Sequence, residues 1–418
     1  MLGRPIGAQP RLLEWAARSR IADWDAAILA SKSRAPGSRL RSVTEEPSEL
    51  SELPEPKDLT PEEVEEQEEA ESDISPITYS GTDFDAEGLV NRYNRGDIVV
   101  PNFGHDNDDS LELAPFQRGF VWRKPQMDRF IESLLLEFPI PGIMLVQQSD
   151  KRYLVLDGQQ RIKTLAAFVK GIHENKVFSL QNVADEFKGL TYETLSPSQR
   201  RTLNNTFIQA TIVRSDNSPK SLEAVYQVFE RLNSGGTQLT AHEIRVALYS
   251  GEFVRFLTDL NNAQGWRDIY GPVSLRLRDQ ELILRILALY SRGNEYVRPM
   301  KKFLNTFINE HRNLDSYPGD EVKTHFETST QALASANARQ VLRRQGQRVN
   351  AALLETVVIG CMQRADSGLE LDHTSIERGL QIVTDDVDLI RSASSQTTNE
   401  ENVRVRLNAA RYAFAVPS

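Results

Sequence analysis

Asp157, Gln159, Gln160 and Arg161 crowd around a single glycine, Gly158. A carboxylate, two amides and a guanidinium in five consecutive residues suit negatively charged oxygen. Arginine pairs with phosphate oxygens, bidentate where geometry permits. A carboxylate holds magnesium through water or accepts a proton from an attacking water. Glutamine orients such a water in other phosphoryl-transfer sites. Glycine lets the backbone approach a ligand closely.

The flanking residues say how this set is held. Tyr153–Leu156 is a short apolar run that reads as a strand. After the glycine, Ile162, Leu165, Ala166 and Val169 fall at i, i+3, i+4 and i+7, one buried helical face, and Gly171 supplies the stop. The polar residues therefore sit at a helix N-terminus, where free N–H groups and the positive end of the dipole favour an anion. A structural alternative stands beside this: Asp157 is a good N-cap, and such caps occur on a large share of helices.

Bulk properties narrow the class. The chain has 418 residues, room for two or three domains, and 39% hydrophobic content supplies a sizeable core. One cysteine (Cys361) and six scattered histidines argue against a disulfide framework or a Cys/His zinc site. The expectation is a reducing, cytoplasmic compartment, with no membrane association, since no apolar run reaches spanning length and no signal peptide is evident. The net charge of −10 is uneven. Residues 1–43 hold eight Lys and Arg against three acids, and residues 44–73 hold fourteen acids against one Lys. The remainder is nearly neutral, so nucleic-acid binding would need a local patch.

Along the chain, residues 1–30 read as an amphipathic helical segment, docked on the body or binding a partner. Residues 31–81, rich in Ser, Pro and Glu, read as a disordered acidic linker. Residues 82–215 read as mixed α/β. Within them Ile98–Val100 and Phe207–Val213 are predicted strands, and Ile143–Val146 with Tyr153–Leu156 a hairpin. Pro125 opens a predicted helix that buries Met127, Phe130, Ile131, Leu134 and Leu135. From 216 to 418 the pattern is helical. Thr240 and Glu243 form a capping box, and further helices are predicted near 252–262, 278–291, 299–312, 320–345, 350–364, 374–394 and 402–414. The fold class is α+β.

Three blocks occur in order: FQRGFVW (116–122) leading into DRFIESLLLEFPIP (128–141), then LDGQQR (156–161), then VFERLNSGGTQLTAHEI (228–244). Over roughly residues 84–250 they resemble the N-terminal domain family of GmrSD-type, modification-dependent restriction enzymes, whose signature is DGQQR. That family is similar in fold to the ParB and sulfiredoxin nucleotide-binding superfamily. The resemblance implies nucleotide binding and, in several members, nucleoside triphosphate hydrolysis that controls DNA restriction.

Carried onto this sequence, Asp157, Gln159, Gln160 and Arg161 are the candidate catalytic residues, with Asp157 also a candidate magnesium ligand. Gln117, Arg118, Gly158, Lys163, Asn233 and Gly236 are candidate nucleotide-binding residues. Each has a plainer reading: Arg118 stacks in the core, the Asn233–Gly236 turn is a helix C-cap, and Glu243 only caps. Arg339, Arg343, Arg344 and Arg348 form either a solvated helix face or a patch for DNA phosphates.

Relatives that cut DNA commonly carry a His-based ββα-metal nuclease domain. Here Leu371-Asp372-His373 is the nearest candidate, and it reads as a helix start. The sequence also lacks a GxxxxGK[ST] loop. The expectation is an NTP-binding and hydrolysing regulatory component, with magnesium, working beside a partner nuclease or helicase. The alternative is a non-enzymatic module that senses nucleotide or binds DNA.

Overall fold

A computed structural model describes residues 76–100, 122–148, 150–216, 218–232, 239–342 and 349–415. The expected N-terminal helix and most of the expected acidic linker lie outside these described residues. Strand β1 (Thr78–Asp85) begins inside the range read as linker. It is followed by helix α1 (Ala86–Asn94), β2 (Ile98–Val99), α2 (Lys124–Leu135), β3 (Ile143–Gln147), β4 (Tyr153–Asp157) and α3 (Gln159–Lys170). A two-stranded ribbon of β5 (Ile172–His173) and β6 (Lys176–Val177), then α4 (Pro197–Asn205) and β7 (Phe207–Arg214), come next.

The rest is helical: α5 (Pro219–Leu232), α6 (Ala241–Leu248), α7 (Glu252–Asn261), α8 (Gln264–Tyr270), α9 (Arg278–Arg292) and α10 (Met300–Glu310). Then come α11 (Gly319–Ser335), α12 (Ala338–Val341), α13 (Ala351–Asp366), α14 (His373–Asp385), α15 (Val387–Ser392) and α16 (Glu400–Phe414).

The fold is α+β around a mixed five-stranded sheet in the order β1-β7-β3-β4-β2. β1 and β7 are antiparallel, β7 and β3 parallel, β3 and β4 the expected antiparallel hairpin, and β4 and β2 parallel. Side chains alternate between sheet faces along a strand, and here both faces are covered. Ile143, Leu145, Val155, Ile208, Ala210 and Ile212 join the core made with α1, α2, α3 and α4. Met144, Val146, Leu154, Leu156 and Val213 join the core of the helical half, beginning with Leu222, Val225, Tyr226 and Phe229 of α5. Central strands buried on two faces read as unbroken apolar runs, which is what IMLV and YLVL are.

Local chemistry explains the boundaries. α2 starts with proline in its first turn and a Gln126 carboxamide oxygen that accepts from the Arg123 N–H at 2.9 Å. Its fully buried Asp128 pairs with Lys124 and accepts from the N–H groups of Gln181 and Asn182 at 3.1 and 3.0 Å. That carboxylate pins the segment after the β5–β6 ribbon to α2. The helix predicted over 320–345 is two helices, because Asn337 adopts a left-handed conformation (φ 54°) between α11 and α12. The one predicted over 374–394 is also two, with Asp386 restarting the chain as the cap of α15. Helices α1, α4 and α8 are additional to the sequence reading.

Candidate functional site

The turn at the end of β4 does not use the Asp157 cap that stood as the structural alternative. Gly158, not Asp157, is the N-cap of α3, with φ 94° and ψ 9°, and no side chain caps the helix. Two constraints make glycine obligatory here. The positive φ disfavours any Cβ, and a Cβ would lie 2.5 Å from Ile143 Cγ2. The first turn of α3 also contains no acidic residue. Its leading N–H groups therefore keep their anion-attracting character.

Asp157 instead faces Arg161, one helical turn on. Arg161 Nη2 donates to Asp157 Oδ2 at 2.8 Å and to the carbonyl oxygen of Gly142 at 2.9 Å. Gly142 is itself seated where a Cβ would meet the Gln209 carbonyl at 2.7 Å. Gly142, just before β3, and Asp157, at the end of β4, thus converge on one guanidinium, and β7 packs against Gly142. Burial is asymmetric across the pair: the Asp157 side chain is 54% exposed and that of Arg161 13%. Arg161 Nε is buried and makes no hydrogen bond. A buried, unmet N–H of a cation is costly, so the guanidinium has capacity for a further oxygen.

Gln159 and Gln160 are half-buried. Gln160 Oε1 accepts the Trp122 N–H at 3.3 Å, and the Trp122 ring meets Phe130 edge-on at 5.5 Å. The block FQRGFVW therefore ends against the first turn of α3. Its Gln117 and Arg118 lie outside the described residues, as do Asn233 and Gly236. Lys163 is half-buried on α3, and burial lowers its pKa.

The third block closes on α6. Thr240 caps it as expected: its hydroxyl accepts from the Glu243 N–H at 3.1 Å, and Glu243 Oε2 accepts from the Thr240 N–H at 2.6 Å. Glu243 is fully buried and also takes Arg276 at 3.3 Å, so its role is structural. Beside it lies a buried polar network that the sequence reading missed. Arg245 bonds Asn305 at 2.8 Å and Glu281 at 2.7 Å, and Asp279 takes Arg267 at 2.9 Å and Asn261 at 3.0 Å. The signal for it is a charged residue, Arg245, between the apolar Ile244 and Val246.

Other candidates are dispersed. Arg339 is half-buried on the short α12, while Arg343, Arg344 and Arg348 lie outside the described residues. The break at Asn337 lies just ahead of this arginine stretch. His373 follows Asp372, which caps α14 by accepting the Ser375 N–H at 3.0 Å, the helix start expected. A cavity of about 180 Å³ lined by Val146, Gln148, Arg152, Leu154, Leu222 and Arg312 lies at the opposite end of the β3–β4 pair from Asp157.

Residues 88–250 match the model of the GmrSD restriction endonuclease, N-terminal domain. The match runs from within α1 to just beyond α6 and takes in every strand of the main sheet except β1. This segment is a GmrSD-type N-terminal domain, as its three motif blocks led us to expect. No curated protein matches the chain. Among the described residues, no helix is long and apolar enough to cross a membrane.

Proposed function

We propose that, through this GmrSD-type domain, the chain serves as the nucleotide-dependent regulatory component of a DNA restriction or anti-phage system. On this reading it binds a nucleoside triphosphate at the Asp157–Arg161 turn and hydrolyses it. The sheet with α3 then belongs with the ParB and sulfiredoxin nucleotide-binding folds. One observation carries the reading: a left-handed glycine opens an uncapped helix beside a guanidinium whose buried Nε has no partner.

The N–H groups of the first turn and Arg161 hold phosphate oxygens. Arg118, four positions before Trp122 in the sequence, adds a second guanidinium on this reading. Gln159 positions the attacking water, and the Gln160 carboxamide ties the FQRGFVW block to the same turn. A divalent cation fits this donor set. Asp157 is half-exposed with only Oδ2 committed to Arg161, and magnesium is commonly held by one or two carboxylates plus substrate phosphates. When bound it supplies charge neutralisation at those phosphates. A partner nuclease or helicase supplies the action on DNA.

Phosphate release from labelled triphosphates by the purified chain tests this. Asp157→Ala and Arg161→Ala should each abolish release while circular dichroism stays native. Undiminished turnover in both variants overturns the hydrolytic reading. A second reading, a non-enzymatic nucleotide sensor, draws on the 2.8 Å pairing that commits Asp157 to Arg161. Saturable binding without release selects it.

A further inference from the structure

We propose that the C-terminal helical half carries a site for a first-row divalent cation, zinc in the first instance, formed by Glu321 and His325 of α11 and Asp366 at the end of α13. One ligand atom from each of the three residues lies within 4.8 Å of the other two. Glu321 and His325 stand at i and i+4, on one face of α11, and α11 packs along α13. Donors at zinc bond lengths stand about 3.4 Å apart in a tetrahedron. Glu321 and Asp366 are exposed, so small rotations of their side chains close the set.

Two further observations point the same way. Among the described residues no lysine or arginine forms an ion pair with Glu321 or Asp366, so two carboxylates converge on an imidazole without a balancing cation. Behind them, the Tyr290 hydroxyl of α9 lies 3.4 Å from His325 Nδ1. With a metal on Nε2, that contact would hold the His325 ring from its far side.

One imidazole and two carboxylates suit zinc and its first-row neighbours better than calcium, which prefers six to eight oxygens. Three protein ligands leave a position for water. The site would clasp α11 to the end of α13, and it stands independently of the nucleotide reading.

The test is calorimetric titration of chelator-stripped full-length protein with zinc chloride. One equivalent should bind saturably and raise the melting temperature. His325→Ala and Asp366→Asn should each weaken binding at least tenfold and remove the thermal shift, with native circular dichroism without metal. His373→Ala should leave binding unchanged. That control matters because His373 and Glu377 form an exposed pair at 3.3 Å on α14. Absence of one-to-one binding, its survival in both α11 and α13 variants, or its loss with His373→Ala overturns the site.

Discussion

Replacing Gly158 by alanine tests the geometry on which the proposed nucleotide site depends. Two costs add. A Cβ at φ 94° is strained by about 1–2 kcal/mol. The same Cβ would sit 2.5 Å from Ile143 Cγ2 and 3.0 Å from Ile143 Cβ. Ile143 is 2% exposed at the start of a central strand, so it has nowhere to turn, and overpacking of this kind costs about 1–3 kcal/mol. Gly158→Ala should therefore lose about 2–5 kcal/mol, read as a lower midpoint in urea unfolding followed by circular dichroism.

A double-mutant cycle isolates the clash. Ile143→Ala alone loses about 2–5 kcal/mol by leaving a cavity, but it removes Cγ2. On that background the Gly158→Ala penalty should shrink by at least about 1 kcal/mol, leaving mainly the backbone strain. Penalties that add to within about 0.5 kcal/mol, or a single-variant loss below about 1 kcal/mol, would refute the claim that β3 forms the floor of this turn.

Two other substitutions probe the helical half. His242 is fully buried, its Nε2 3.1 Å from Gln280 Oε1, and burial lowers its pKa from 6.5 to about 4. The unfolded chain thus binds a proton that the folded one refuses. Stability should be intact above pH 6.5 and fall toward pH 4, by at most about 3 kcal/mol. His242→Gln should flatten that part of the stability–pH curve; an unchanged slope discounts the residue. Glu355 takes Arg285 at 2.9 Å and Arg406 at 3.2 Å, with its side chain only 2% exposed. Glu355→Ala should destabilise by about 3–5 kcal/mol, because buried cations lose their counter-charge. A drop under about 1 kcal/mol in chemical denaturation would contradict this.

The elements legible in the sequence were those with local causes. The β3–β4 hairpin, α3, the Thr240 capping box and the Asp372 helix start follow from apolar runs, spacing and cap chemistry within a few residues. β1 was not legible: TYSGTDFD carries only Tyr79 and Phe84 as apolar anchors, and it exists because all eight residues pair with β7. The break at Asn337 was missed because asparagine tolerates the left-handed conformation while the surrounding composition still favours helix. At the candidate site the polar set at the start of α3 is visible in the sequence, and of its two readings the Asp157 cap is the one that fails, since Gly158 holds the cap position. The contact from Arg161 to the Gly142 carbonyl spans nineteen positions and no local pattern encodes it. Arg245 and its partners were hidden for the same reason, since their hydrogen bonds join helices far apart in sequence.

The two-sided seating of β4 decides how an event at its tip can travel. Leu154 and Leu156 are lodged among the helices on one side and Val155 on the other. Sliding by one residue would exchange those sockets. A one-residue slide of β4 in response to a pull at Asp157 is therefore opposed from both faces, one of them the face packed on α5.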